Sequence, residues 1–266
     1  MSVSRPKIVL RGLPNPRSEP GFGNPGRAKL ELMSIVVVVP TYNERDNIGR
    51  LVNALLGLGR DMRVVIVDDN SPDGTGPVAD ELAAHYGPAV QVIHRSGKGG
   101  RGGAVLAGFR ATLPTDADLF VEMDADFSHD PAELPRLLDA AADYDMVIGS
   151  RDLPESRVVN WAWRRTVFHH LSNFYARLVL GIPVRDYTNG YRVYHRRVLE
   201  ALDFDAIQAT GYIVLSEVLV QAHRAGFRIG EVPITFVNRQ RGVSNVTPAE
   251  IMESFTGVLK LRRRYR

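Results

Sequence analysis

Asp124-Ala-Asp126 is the sharpest chemical signal in this 266-residue chain. Just past a strand, an Asp-x-Asp can aim both carboxylates at one point as the chain leaves the pleat. Taken as hard oxygen donors without a His or Cys ligand, the pair suits Mg2+ or Mn2+ and not zinc. Such ions take their remaining ligands from water and substrate phosphates. A nucleotide diphosphate is therefore the expected partner. Three more segments offer groups of the same kind: Pro40-Thr-Tyr-Asn-Glu44, Asp68-Asp-Asn-Ser-Pro-Asp-Gly-Thr75 and Gly149-Ser-Arg151. A lone Asp at a strand end commonly caps the next helix, and Ser71-Pro-Asp-Gly74 is a good turn. Four coincident strand ends are harder to explain that way.

The elements that must position these groups are legible in the hydrophobic pattern. Short β-branched runs at Ile35–Val39, Arg63–Val67, Val90–His94, Leu119–Met123 and Met146–Gly149 alternate with helical patterns at Asp46–Leu58, Pro77–Tyr86, Ala104–Thr112 and Pro131–Ala142. Nearly continuous Val/Ile runs mark strands buried on both faces, and the alternation implies an α/β fold with a mostly parallel sheet. In such sheets ligands bind outside the carboxyl ends of the strands, where all four segments fall. Residues 160–226 read as longer helices around a short strand at Tyr191–His195. Phe227–Phe236 reads as a further strand. Asp130-Pro-Ala-Glu133 and Thr247-Pro-Ala-Glu250 both match a capping box with proline at the first helical position. The organisation expected is a basic Pro/Gly-rich arm over 1–33, one domain over 34–247, and an amphipathic basic helix over 248–266, its apolar stripe (Ile251, Met252, Phe255, Val258, Leu259) reading as core packing or as a membrane-surface face.

Composition narrows the class. With 44% apolar and 24% charged residues the chain is globular, and without cysteine it has no disulfide, thiolate nucleophile or Cys-ligated zinc. No apolar run approaches the roughly 18–20 residues of a membrane span, and the first residues lack the apolar core of a secretory signal. The chain therefore reads as intracellular. Residues 1–33 carry a net +4, and the last seven residues hold five cations. A mildly acidic body between basic ends is unlike a nucleic-acid binder and suits an anionic lipid surface. Gly97-Lys-Gly99-Gly-Arg-Gly102 is a formal dinucleotide fingerprint. It sits on the third βα unit instead of the first, and its acid, Glu122 or Asp124, belongs to the Asp-x-Asp cluster. A flexible basic loop beside a nucleotide site accounts for it equally.

Together with Asp186-Tyr-Thr-Asn-Gly-Tyr-Arg192 and Val232-Pro-Ile-Thr-Phe-Val237, these segments resemble the family-2 glycosyltransferases of GT-A fold, in particular the polyprenol (dolichol) monophosphate mannose synthases. The ordered match runs over about residues 35 to 247. The resemblance implies inverting transfer of mannose from GDP-mannose to polyprenyl phosphate. It places Pro40, Tyr42, Glu44, Val67 and Asp69 around the nucleoside and Ala125 beside the donor. It makes Asp124 and Asp126 metal ligands for Mg2+ or Mn2+, and sets Arg239 near the diphosphate. Arg151, Arg165 and Arg192 fall on cations facing donor or acceptor phosphates, with Asp124, Asp126 and Arg151 carrying the catalysis. This chain departs from the family pattern at Asn245, usually Lys, and at His169, often Ser. Spacing alone leaves guanine and uracil open, so glucosyl transfer from UDP-glucose is the alternative.

A phosphate monoester is already largely ionised at neutral pH, its second pKa being about 6, so the implied site needs cations more than a general base. A polyprenyl tail stays in its bilayer at about 0.8 kcal/mol per buried CH2. The enzyme is therefore expected on the cytoplasmic face as a peripheral protein, held by the last helix, by Arg262–Arg264 and by an integral-membrane protein partner. Trp161 and Trp163 are candidates for an interfacial belt. Glu217 is a candidate near the site or an ordinary surface acid. His85, His94, His195 and His223 read as structural or solvated.

Overall fold

In strand β1 (Ile35–Thr41), Ile35 to Val39 are all buried, as a Val/Ile run in the middle of a sheet requires. Its side chains alternate between two cores. Ile35, Val37 and Val39 join one cluster, and Val36 and Val38 join the other. This is the period-2 pleat with helices on both faces. The computed structural model describes residues 30, 32–97, 99–207, 211, 213–238 and 248–266. Its other strands are β2 (Met62–Asp68), β3 (Val90–His94), β4 (Leu119–Glu122), β5 (Met146–Ser150), β6 (Arg157–Val159), β7 (Arg192–His195), β8 (Ile229–Pro233) and β9 (Thr235–Val237).

Seven strands form the main sheet in the order β3-β2-β1-β4-β7-β5-β8, and β6 pairs with β9 in a second. Strand β7 runs antiparallel to both β4 and β5, so those two are parallel to each other. The pairs β1–β2, β1–β4, β2–β3 and β5–β8 are parallel. Six carboxyl ends therefore share one rim, and the chain enters β7 from that same rim. The sheet is mostly parallel, with the inserted β7 its one antiparallel strand; the even helix–strand alternation of the sequence stops after β5, so the pattern did not give its direction.

Helices α1 (Arg45–Leu56), α2 (Thr75–Tyr86) and α4 (Leu134–Ala140) pack on the first face. Helices α3 (Gly100–Thr112), α5 (Trp163–Leu180), α6 (Arg196–Glu200), α7 (Ile213–Arg224) and α8 (Pro248–Arg264) cover the other. The fold agrees with the expected α/β architecture, and several details change. Leu30 is 4% exposed and belongs to the first core, with Met33 packed against it, so packing begins before Ser34. Of the glycine-rich segment, Gly100–Gly102 form the first turn of α3. A Cβ on Gly102 would lie 2.6 Å from Val214 Cγ2, and one on Gly108 would collide with Val38 Cγ1. These glycines permit close helix packing. Asp130 caps as expected, accepting from the Ala132 N–H at 2.9 Å, but Glu133 accepts instead from the Thr235 N–H at 3.0 Å, and the first turn is 3-10. The Phe227–Phe236 strand is two strands in two sheets.

Of the two roles open to the apolar stripe of the last helix, core packing is the one its described contacts show. Val258 and Leu261 are buried in the second core and Phe255 packs on Tyr175, whereas Leu259 is 45% exposed. Arg264 donates to Glu217 at 2.7 Å, and Tyr265 Oη to the same carboxylate at 3.1 Å. Glu217 is thus no surface acid; buried, it anchors the end of α8. His195, 8% exposed, donates to Ala141 O at 2.8 Å, and burial holds its pKa down. Thr247 lies outside the described residues. Among the described residues no helix is long and apolar enough to cross a membrane.

Candidate active site

The rim is assembled loop by loop. Asp68 closes the turn after β2: its carboxylate accepts from Thr41 Oγ1 at 3.0 Å, Ser71 Oγ at 2.5 Å and the Ser71 N–H at 3.0 Å. The β1 loop is stitched to it. The Asn43 N–H donates to Ser71 Oγ at 3.1 Å, Glu44 N–H to Thr75 Oγ1 at 2.9 Å, and Arg45 N–H to Asp73 at 3.2 Å. Burial opposes the Asp73 charge, but its bonds from Thr75 and Arg45 outweigh burial and lower its pKa. Pro40 falls beyond the β1–β4 ladder, which ends at Val38, so its missing N–H costs no sheet bond. Tyr42 is partly exposed and Glu44 accepts from Asn47 Nδ2 at 2.8 Å. Asp69 is buried, paired with Arg95 and bonded to the Gly99 N–H at 3.0 Å. Val67 is 0% exposed, its side chain in the core and its carbonyl accepting from Thr41 Oγ1 at 3.4 Å, so the structure does not turn it toward a ligand.

Asp124, Ala125 and Asp126 form the turn after β4. Arg101 reaches this turn from α3. Its Nε donates to Asp124 Oδ1 at 2.5 Å, Nη1 to Glu122 at 3.2 Å and Nη2 to Gly190 O at 3.0 Å. Asp126 accepts the Ser128 N–H at 3.0 Å. Beneath them His129 is fully buried. Its Nδ1 accepts the Asp124 N–H at 3.1 Å, which makes Nε2 the protonated nitrogen that donates to Asn189 Oδ1 at 2.8 Å. Burial lowers its pKa against the pull of Asp124, so the ring is neutral. With both nitrogens engaged it is no metal ligand. The ligand atoms this turn offers are carboxylate oxygens, which fits Mg2+ or Mn2+.

The other half of the rim carries Arg151. Its Nε and Nη2 grip Asp186 through two 2.8 Å bonds, and Nη2 also reaches Thr188 Oγ1 at 2.8 Å. Burial would raise the Asp186 pKa, but the Arg151 charge and hydrogen bonds outweigh it and hold the carboxyl well below the usual range. Arg165 stacks on Trp161 at 4.5 Å and donates to Asn238 at 2.8 Å. Trp161 is therefore packed, with Arg151 also 5.5 Å above its ring, whereas Trp163 is exposed. Arg192 does not belong here. It is 0% exposed, and its guanidinium donates to the carbonyls of Asn189, Leu215 and Tyr187 at 2.7–2.8 Å. The antiparallel entry of β7 carries it into the core opposite Glu122, where it braces the loop before it instead of facing a phosphate. Arg239 and Asn245 lie outside the described residues.

Left-handed backbone at Asn43, Asn70, Phe127 and Asn160 falls on the rim loops, as strained residues do at working sites. Motif reading named neither Arg101, His129 nor Asp186 as working residues. Arg101 and Asp186 stood inside quoted motifs and His129 three residues past the Asp-x-Asp, and only their buried partners reveal the role.

The structure superposes on glucosyl-3-phosphoglycerate synthase from Mycobacterium tuberculosis, solved with Mn2+, UDP and glucosyl-3-phosphoglycerate, with a TM-score of 0.63 over 92% of this chain and 86% of that one, at 21% identity. That likeness establishes the GT-A fold. Residues 36–203 match the sequence model of glycosyl transferase family 2, and the chain belongs to that family. Within it, the chain is 44% identical to the polyprenol monophosphomannose synthase of Mycolicibacterium smegmatis, covering 89% of each. It is 42% identical to the undecaprenyl-phosphate mannosyltransferase of Micrococcus luteus, over 86% of this chain and 93% of that one. The dolichol-phosphate mannosyltransferase of Pyrococcus furiosus is 34% identical over 87% of this chain and 64% of its own length.

Proposed function

We propose that this chain transfers a mannosyl group from GDP-mannose to a polyprenyl monophosphate with inversion at the anomeric carbon. A lipid phosphate oxygen forms the new bond to that carbon as its bond to the GDP diphosphate breaks. One observation carries the reading. The loop Asp186–Gly190 holds Arg151 at one end, and through Asn189 and Gly190 it holds His129 and Arg101 under the Asp124 turn. An anion-binding arginine and a pair of hard carboxylates are thus fixed relative to one another, as transfer from a diphosphate to a phosphate requires. The mannosyltransferases that match nearly the whole chain suggest the sugar and the lipid.

Asp124 and Asp126 would hold Mg2+ or Mn2+; when bound, the ion stabilises negative charge on the departing diphosphate. Pro40, Tyr42, Glu44 and Asp69 would receive the nucleoside, with Arg239 toward the diphosphate. Arg151 and Arg165 would receive the lipid phosphate, which arrives ionised and needs no base. The engaged, neutral His129 agrees with that.

The acceptor stays in a membrane, so the enzyme must meet it there. On α5, Trp163, Val167, Leu171, Phe174 and Leu178 recur at helical spacing with exposures from 48% for Val167 to 73% for Leu178. Arg164 and Arg177 share the exposed face. This stripe supports peripheral docking of α5 on the cytoplasmic leaflet, with the exposed Arg262 and Arg263 assisting and an integral-membrane protein as a second anchor. The test incubates the chain with labelled GDP-mannose or UDP-glucose and a short polyprenyl phosphate. Label from GDP-mannose alone in the organic phase is the expected result; label from UDP-glucose alone, or none, overturns the proposal.

A further inference from the structure

Asp152, the residue after Arg151, faces α5 and not the Asp124 turn. Its Oδ1 lies 3.1 Å from His169 Nε2 and 3.0 Å from His170 Nδ1. All three atoms lie within 4.8 Å of one another. We infer that Asp152, His169 and His170 form a second cation site, built for a transition ion of the Zn2+ type and separate in chemistry from the oxygen-only pair at Asp124 and Asp126.

Asn173 Nδ2 donates to Asp152 Oδ2 at 2.7 Å and also faces His169 Nε2 at 3.2 Å. The amide cannot be turned round, because its Oδ1 accepts the Tyr187 N–H at 3.1 Å. With Nε2 protonated, His169 donates to Asp152 Oδ1 beside the Asn173 amide that donates to Oδ2, so the α5 donors converge on one carboxylate. A cation between Oδ1, Nε2 and Nδ1 would take all three lone pairs in place of those protons.

The geometry is close to what such an ion needs. Bonds of about 2.0–2.1 Å in a tetrahedron separate ligand atoms by roughly 3.3 Å, and both oxygen–nitrogen edges are already within a few tenths of that. Two imidazoles with one carboxylate favour Zn2+, Co2+ or Ni2+ over Mg2+. Asn173 supplies the outer hydrogen bond that orients the carboxylate. Asp152 and His169 are nearly enclosed while His170 is open to solvent, which leaves the ion an entry path and a fourth position. Among the described residues no Arg or Lys side chain pairs with the Asp152 carboxylate. Occupied, the site would clamp the outer face of α5 to the strand end that carries Arg151.

The test uses the full chain, stripped with chelator and titrated with Zn2+ or Co2+ alone, by calorimetry and by the visible bands of low-coordinate Co2+. Wild type and Asp126→Ala are each expected to bind one equivalent tightly and to melt at a higher temperature with it. His170→Ala, a change at an exposed position, should bind about tenfold or more weakly, and His169→Gln with His170→Ala should bind none. Equal binding by wild type and His170→Ala overturns the inference, as does absence of binding to wild type. A site lost in Asp126→Ala would assign the ion to the Asp-x-Asp turn and overturn it too.

Discussion

Replacing His129 by Phe isolates what the buried ring contributes. Phe keeps the volume and the stacking on Tyr191, whose ring lies 5.0 Å away at 20°. It removes both hydrogen bonds, stranding the Asp124 N–H and Asn189 Oδ1. Each stranded buried group costs about 1–3 kcal/mol, so the fold should lose about 2–6 kcal/mol. At roughly 2–4 °C per kcal/mol for a domain of this size, the melting temperature should fall by at least about 4 °C. Loss of fold alone is not the claim. With Asp124 no longer held by its main chain, the Mn2+ concentration for half-maximal mannosyl transfer should rise about 10–100-fold, the usual penalty for losing an outer-sphere partner. His129→Asn, whose side-chain oxygen falls near the Nδ1 position, should recover part of the metal affinity. The assay is lipid-phase label against Mn2+ concentration, at a temperature where each variant is folded. An unchanged Mn2+ requirement in a destabilised His129→Phe would refute the reasoning and leave the ring as mere packing.

Three further outcomes follow from the same structure. Gly108→Ala drives a Cβ into Val38 Cγ1; overpacking should cost about 1–3 kcal/mol in thermal or denaturant melts while leaving the Mn2+ requirement unmoved. Asp186 has a folded pKa below its unfolded value of about 3.9, so the Arg151 pair contributes its full stability above that pH and loses it as pH falls further. Melting temperature measured from pH 7 to pH 3 should therefore drop less in Asp186→Asn than in wild type, from a lower start, and a parallel drop would contradict the pairing. Leu171→Glu with Phe174→Glu should remove most vesicle binding to anionic liposomes, since each apolar side chain contributes about 1.5–3 kcal/mol when buried. Sedimentation unchanged from wild type would move the lipid surface elsewhere.

What the sequence disclosed, and what it withheld, follows from distance along the chain. The Val/Ile runs and the strand-end Asp-x-Asp are local patterns, so the parallel sheet and the carboxylate turn were readable. Arg192 misled because a charged residue in a motif suggests a ligand. Only the antiparallel insertion of β7 between β4 and β5, a non-local fact, explains why three carbonyls enclose it. His129 was hidden for the same reason: its partner Asn189 is 60 residues away. The apolar stripe of α8 could be packed or lipid-facing until its contacts with α5 and α7 were known, and the exposed stripe on α5 carried the opposite ambiguity.

The central claim is that Asp124 and Asp126 grip one divalent ion against the diphosphate of GDP. Calorimetric titration of GDP into the chelator-stripped chain, with and without Mn2+, measures this without any lipid. The account predicts that Mn2+ tightens GDP binding at least about tenfold in wild type and has no effect in Asp126→Ala, a difference of about 1.4 kcal/mol or more. GDP affinity that ignores Mn2+ in wild type, or that responds equally in Asp126→Ala, would contradict it.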